Sequence, residues 1–376
     1  MSASTHPAKP ASDRYTIWVV LALAAWGVAA VYSAVAFLAT KSGSSSDPFM
    51  WRHVVKVGLA IIAMGTVSLV DYHKLAKLSR WMPIGSLILL TVVGIWGTVT
   101  GGAARWLSLG GVSFQPSDLA KISLILYVGT LLAQKQSYIE SFGHAFMPVM
   151  VWTLATVVLI GMENLSTAAL LLVTVLLMCF VARVSVLHLA GLGALGLVLA
   201  MLLLAFSPAR AARVEQALGV EWFSHTEAQG VGDELREAYQ PLQARIAIAS
   251  GGIVGVGPGK SIQRDFLPAP YNDFIFAIIA EEYGLIGALL ILSAFVILLF
   301  RGFLRIARHA PDPMGLFIGV GFTLMIVLSG LAHAGVSVGL LPVTGQPLPF
   351  VSYGGSSIVA MGAMTGILLN LSRQSQ

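Results

Sequence analysis

Charged residues are scarce in this chain. Lys, Arg, Asp and Glu make up 10% of its 376 residues, against about 25% in a soluble globular domain. Hydrophobic residues make up 57%, and the mean hydropathy is +0.84. A soluble globular class is excluded, and an all-α polytopic membrane protein is implied. Cysteine is nearly absent: the single Cys179 lies inside an apolar run, which rules out an intrachain disulfide framework. Acids are fewer than bases, for a net charge of +5. The basic excess sits mostly in short loops between apolar runs, so it points to a membrane protein with basic cytoplasmic loops and not to nucleic acid. A cleavable signal peptide is not expected. The first apolar run is too long and has no clear cleavage site, so it is expected to remain as a membrane span.

What the chain does have is a series of apolar runs near the length of about 20 residues that a spanning helix needs. Ten are candidate spans: 15–39, 53–70, 81–99, 117–134, 145–161, 164–182, 186–206, 272–300, 314–340 and 350–372. Residues 1–14 form a polar tail, 15–372 the membrane domain, and 373–376 the C-terminus. A long loop, 207–271, separates the seventh and eighth spans. Ten spans place both termini on one side. With that side cytoplasmic, the inner segments hold Lys9, Arg14, Lys74, Lys77, Arg80, Lys135, Arg183, Arg301, Arg305, Arg308 and Arg373, while the short outer loops hold only Lys41, Arg52 and Arg105. The long loop is then extracytoplasmic. Its first half, with Glu221, Glu227, Asp233, Glu234 and Glu237, is expected to be exposed and amphipathic or flexible. From Gln240 a short helix against the membrane surface is expected.

Three outer segments are candidates for chemistry. The first runs from Arg105-Trp106 to Gln115-Pro116-Ser117-Asp118 and Lys121. Asp118 and Lys121 share a helix face. They are either a helix entry, with Ser117 or Asp118 capping and Lys121 snorkelling, or an ionisable pair at a site. The second is 341–357, with three prolines, three glycines and no charge. It cannot be a plain helix, and irregular backbone at membrane depth must lie against protein or line a cavity. Pro349, Ser352, Tyr353 and Ser356 are its candidate contacts.

The third is Gly251–Glu282. Its glycines and Lys260-Ser261 look like a phosphate loop, but Val254 stands where GxxxxGK[ST] needs its first glycine, and a strand–loop–helix context is missing. A nucleotide is therefore not expected. Exposed backbone N–H groups with Lys260, Ser261 and Arg264 would still suit an anion, such as a lipid-linked pyrophosphate. Three acids follow. Asp273 is either a helix-capping acid or a general base or metal ligand beside a sugar hydroxyl. Glu281 and Glu282 either pair with polar groups on neighbouring helices or contribute to substrate binding.

Together, Arg105-Trp106, Gln115-Pro116-Ser117-Asp118 with Lys121, the glycines 251–257, Phe266-Leu267-Pro268, Asp273-Phe274-Ile275-Phe276-Ala277 with Glu281-Glu282, and Pro342-Val343-Thr344-Gly345 through Ser357 resemble the SEDS family, which includes FtsW and RodA. The resemblance covers nearly the whole chain. It implies a glycosyltransferase that polymerises lipid II at the outer face of the bacterial cytoplasmic membrane, with Asp273 as catalytic carboxylate. It also implies Arg105, Lys121 and Lys260 as cations for the leaving pyrophosphate, a divalent cation (magnesium or manganese) sharing that task, and a class B penicillin-binding protein as partner among other division proteins and membrane lipids. Some positions depart from the family pattern: Asp118 replaces a glutamate, Met162-Glu163-Asn164 replaces Gln-Pro-Asp, and His333 replaces an asparagine. Gln346 and the Glu163–Thr167 string look closer to the FtsW branch than to RodA. A lipid flippase is the main alternative and a division scaffold the third. The outward clustering of polar groups favours the enzyme, since a flippase would carry them through the midplane.

Overall fold

The computed structural model describes residues 12–42, 47–100, 103–109, 112–218, 231–267 and 269–374; within these, only the backbone is described for 36–42, 47, 98–100, 103–105, 108–109, 112, 208–210, 216, 218 and 231–238. The chain is helical and polytopic, and each predicted run contains a helix: α1 (Arg14–Ser42), α2 (Asp47–Ser68), α3 (Tyr72–Leu78) with α4 (Met82–Trp96), α5 (Pro116–Gln134), α6 (Met147–Glu163), α7 (Leu165–Val181), α8 (Val186–Ala205), α11 (Ile275–Phe300), α12 (Pro313–Ser337) and α13 (Ser357–Gln374). By length and composition, seven helices among the described residues are long and apolar enough to cross a membrane, or eight if α3 and α4, bent by 61°, count as one span. The two others are α7, with 17 residues, and α13, which ends in Asn370, Ser372, Arg373 and Gln374. Apolar side chains cover the outside, including Trp96, Leu187 and Phe206, as expected of a bundle whose solvent is lipid.

α12 and α5 form the buried centre. α13 lies along α2, where Gly362 and Gly366 let the backbones meet: a Cβ on Gly362 would come within 2.3 Å of the Ala60 carbonyl oxygen. This is the small-xxx-small seam expected where helices pack without hydrophobic drive. At the end formed by the start of α1 and the close of α11 and α13, Asp13 takes a bidentate pair from Arg301, and His73 bridges Asp71 and Asp312 at 2.8 and 2.9 Å.

Four expectations change. The third run was expected to stay helical to 99, but α4 stops at Trp96. Residues 98–114 make a three-stranded antiparallel sheet, β1 (Thr98–Thr100), β2 (Ala103–Leu109) and β3 (Val112–Phe114). β-Branched Thr98, Val99 and Thr100 favour strand. The last helix starts at Ser357, not 350, because Pro347, Pro349 and the positive φ of Phe350 (65°) preclude helix before it. In the long loop, α9 (Pro208–Leu218) and α10 (Val231–Gly251) are helical. α10 packs its Ala244 and Ala247 onto Phe274 and Ile278 of the bundle, so it does not lie only on a membrane surface. Glu221 and Glu227 lie outside the described residues, as do the side chains of Asp233, Glu234 and Glu237.

Candidate active site

The glycine-rich loop is built into α11. At Gly284 the helix breaks, with φ 66° and ψ −163°. Residues Glu281 and Glu282 lose their i+4 partners there. Their carbonyls accept instead from Val256 N–H and Gly257 N–H, both at 3.0 Å, while Leu285 N–H and Ile286 N–H donate to the Gly252 and Ile253 carbonyls at 2.9 and 3.3 Å. Close approach demands glycine: a Cβ on Gly284 would sit 2.3 Å from the Ile253 oxygen, and one on Gly255 would sit 2.2 Å from the Glu282 oxygen. The loop was expected to offer its N–H groups to an anion. Those of Val256 and Gly257 are instead consumed by the broken helix.

The two glutamates hold the same loop from below. Glu281 accepts from the Ser261 hydroxyl, from Ile262 N–H at 3.0 Å and from Gln263 N–H at 3.3 Å. Glu282 accepts from the Ser33 hydroxyl of α1, and Arg264 donates to the Ser33 carbonyl at 2.9 Å. Glu281, Glu282, Ser261 and Ser33 are buried, whereas Ile262 is exposed. Glu281 thus pairs with the loop, and Glu282 with α1. Ser261 is engaged with Glu281. Lys260 is exposed beside Gly257.

Asp273 sits before α11, half-buried, and Phe274 occupies the N-cap position, with no side-chain capping bond. Asp273 therefore lies one residue ahead of the cap position. The backbone around it is fastened. Tyr353 N–H donates to the Tyr271 carbonyl at 2.9 Å, and the Ser352 hydroxyl donates to the Asn272 carbonyl at 2.8 Å. Ser352 also accepts from Leu348 N–H at 2.8 Å, closing the irregular segment on itself. Pro349 is buried within that segment. The Tyr271 phenol is pushed above its ordinary value by burial first, then by Tyr353 and Asp273.

The far end of this strap is fastened to α5. Ser356 donates to Asp118 at 2.8 Å and accepts from Gln115 N–H at 3.0 Å. Asp118 is paired with Lys121 at 2.8 Å, with side chains 2% and 4% exposed. Ser117 is buried at the helix start, and its hydroxyl has no hydrogen-bond partner among the described residues. Trp106 of β2 lies against Gly355. Arg105 is also in β2, but its side chain lies outside the described residues. The 348–356 strap thus joins Gln115, Asp118 and Lys121 to Asp273, whereas Ser261, Glu281 and Glu282 form a separate clamp beneath the glycine loop. A third polar group links the strap to α7 and α12: Gln346 donates to Thr167, and its carbonyl meets His333 Nδ1 at 2.7 Å.

Motif reasoning missed one wall. Phe49 of α2 stacks on Tyr353 with ring centroids 4.1 Å apart and meets Tyr271 edge-on at 4.8 Å. Lys56 Nζ lies 3.9 Å over the Tyr353 ring, and buried His53 stands beside it. Phe49, His53 and Lys56 recur at i, i+4 and i+7, on one helix face. Ionisable residues in an apolar run were the available signal. Among the described residues, no three His, Cys, Asp or Glu side chains converge as metal ligands.

Residues 14–376 match the FtsW/RodA/SpoVE family, described as cell cycle protein. Stage V sporulation protein E of Bacillus subtilis (strain 168) is 37% identical over 372 residues, covering 98% of this chain and 99% of that one. The probable peptidoglycan glycosyltransferase FtsW of Geobacter sp. (strain M18) is 33% identical over 365 residues, covering 96% of each. Among solved structures, a chain of a peptidoglycan synthase complex superposes with TM-score 0.75 at 27% identity, covering 96% of this chain and 98% of that one. The rod shape determining protein RodA of Thermus thermophilus gives 0.70 at 25%, covering 97% and 98%. The strap, the preceding aspartate and the broken helix therefore sit in a chain that belongs to the FtsW/RodA/SpoVE family.

Proposed function

We propose that this chain is a peptidoglycan glycosyltransferase, polymerising lipid II at the outer face of the bacterial cytoplasmic membrane. The names of the FtsW relatives and the polymerisation ascribed to the solved synthase complex support the reaction class. Relatives named SpoVE and FtsW, at 31% to 37% identity, support septal synthesis over elongation. In this reading the chain crosses the membrane ten times. Both termini are cytoplasmic, because Lys74, Lys77, Arg301, Arg305 and Arg308 lie at the end of the bundle away from Asp273.

The observation that carries the proposal is the placement of Asp273, a half-buried carboxylate outside its helix cap whose flanking backbone is pinned by the strap. Asp273 takes the proton from the acceptor sugar's 4-hydroxyl as that oxygen attacks the donor's anomeric carbon. The bond to pyrophosphate breaks, and undecaprenyl pyrophosphate leaves with the electron pair. Phe49 and Tyr271 offer ring surface to the sugars, and Tyr353, held between Phe49 and Lys56, positions them. Arg105, Lys260 and Lys56 are the cations for the developing pyrophosphate charge. Lys121 is already neutralised by Asp118 and is given a positioning role. Magnesium or manganese, when bound, would neutralise phosphate charge. A class B penicillin-binding protein would crosslink the product alongside other division proteins.

The test uses the purified chain with its crosslinking partner and labelled lipid II. Wild type is expected to make glycan strands, and Asp273→Ala none, with the complex intact. Normal polymerisation by Asp273→Ala would remove the catalytic assignment. Transfer of lipid II across vesicles by wild type without polymer would establish a transporter instead.

A further inference from the structure

A second cavity of about 280 Å³ lies between α9, α10 and the chain leaving α12. Arg213, Pro241, Leu242, Arg245, Gly339 and Val343 line it. It is many times the roughly 30 Å³ share of one water. α10 separates it from Asp273: Ala244 and Ala247 face Phe274, while Leu242 and Arg245 point roughly to the other side of the same helix.

The two arginines differ. Arg213 and the buried Glu215 on α9 already have partners. Arg245 makes no hydrogen bond or ion pair among the described residues, and its guanidinium lies flat against Gly339, where a Cβ would come within 2.3 Å of Nε. An exposed guanidinium in a concave pocket suits an anion with several oxygens. Beside it, the surface is apolar. Leu340 is 80% and Phe206 81% exposed, with Leu242, Ile246 and Leu341 also open. Such side chains at the ends of two membrane-compatible helices, α8 and α12, face hydrocarbon and not water. Cation and hydrocarbon contact therefore meet where those helices reach the headgroup level.

We infer that this cavity binds the headgroup of an anionic phospholipid, with the phosphate on Arg245 and the acyl chains along Leu340 and Leu341. The inference does not depend on the glycosyltransferase reading. Seating a lipid here would brace α10 and residues 339–343, which lead into the strap.

Native mass spectrometry of the purified full chain, with phosphatidylglycerol and phosphatidylcholine in the same micelles, tests it. Wild type is expected to retain phosphatidylglycerol preferentially. Arg245→Gln should lower that preference roughly fivefold, from about one arginine's share of the attraction to an anionic headgroup. Arg245→Lys should keep most of it, and Arg305→Gln, at the other end of the bundle, should keep all of it. Thermal unfolding of each variant separates loss of the site from loss of the fold. An unchanged preference in Arg245→Gln overturns the inference. Displacement of the lipid by inorganic phosphate overturns it as well, in favour of a free-anion site. If Arg245→Gln leaves lipid retention intact but weakens capture of the crosslinking partner, the face belongs to a protein and the inference falls.

Discussion

The buried pair of Asp118 and Lys121 yields the most demanding prediction. Its members are 2.8 Å apart, with side chains 2% and 4% exposed, and Asp118 also accepts from Ser356. Lys121→Met keeps the length of the stem but leaves a carboxylate in a desolvated place with a single hydroxyl donor. Removing one partner of a buried pair costs about 3–5 kcal/mol, because the survivor is left uncompensated. Asp118→Asn should cost a similar amount by leaving the ammonium alone. The double variant removes both charges, and its asparagine oxygen can still accept from Ser356. Replacing a whole buried pair with neutral groups is often neutral or stabilising, so the double variant should lie within about 1 kcal/mol of wild type. The coupling energy would then be several kcal/mol, far above the roughly 0.2–1 kcal/mol of exposed pairs. The assay is reversible unfolding in mixed micelles for the four members of the cycle. Small single-variant losses with no recovery in the double would refute the reasoning, because they would mean the pair is solvated.

The remaining predictions concern the helix break and the opposite end of the bundle. Gly284→Ala would drive a Cβ into the Ile253 carbonyl at a positive φ. It should destabilise by roughly 3 kcal/mol or more, measured in the same micelles, whereas Gly259→Ala, with open space at its Cβ site, should suffer only the cost of its φ of 74°. Asp13 is held below the usual carboxylate range: burial works to raise it, but hydrogen bonds from Arg301 and Thr16 and the charge of Arg301 outweigh burial. A lowered folded value means that its stabilisation is fully present above the unfolded pKa, near about 3.9, and is lost as pH falls through the folded value. The melting temperatures of wild type and Asp13→Asn should therefore differ by a constant amount from neutral pH down to the ordinary carboxylate range and converge below it.

Much of this fold was legible because hydrocarbon length and charge placement leave few choices. The ten apolar runs each contain a helix, and the charges that stand out, Asp118, Lys121 and Asp273, gather around one strap. The β-meander at 98–114 was hidden because Thr98 and Val99 continue an apolar run without changing its hydropathy. The glycines were conspicuous, but their role was not legible. A glycine that admits a carbonyl from a broken helix and one that admits a phosphate carry the same local signal, and only the contact between Gly255 and Glu282 distinguishes them. His53 and Lys56 were overlooked because periodicity assigns them to a spanning helix without saying what that helix faces.

The broken helix also explains how acids are tolerated in the most apolar part of the chain. A carboxylate in a membrane helix is costly unless donors surround it. Glu281 finds three donors in residues 261–263, and Glu282 finds Ser33. Their backbone carbonyls, freed by Gly284, take the loop's N–H groups. Side chain and backbone thus clamp the same loop, and the first part of α11 is fixed by contacts that do not involve any ligand. Asp273 lies just ahead of that fixed segment, and the strap pins the carbonyls of Tyr271 and Asn272 before it. Rigid support on both sides of one carboxylate is what catalytic geometry requires. On the proposed reading, the chemistry falls to Asp273 and the structural work to Glu281 and Glu282.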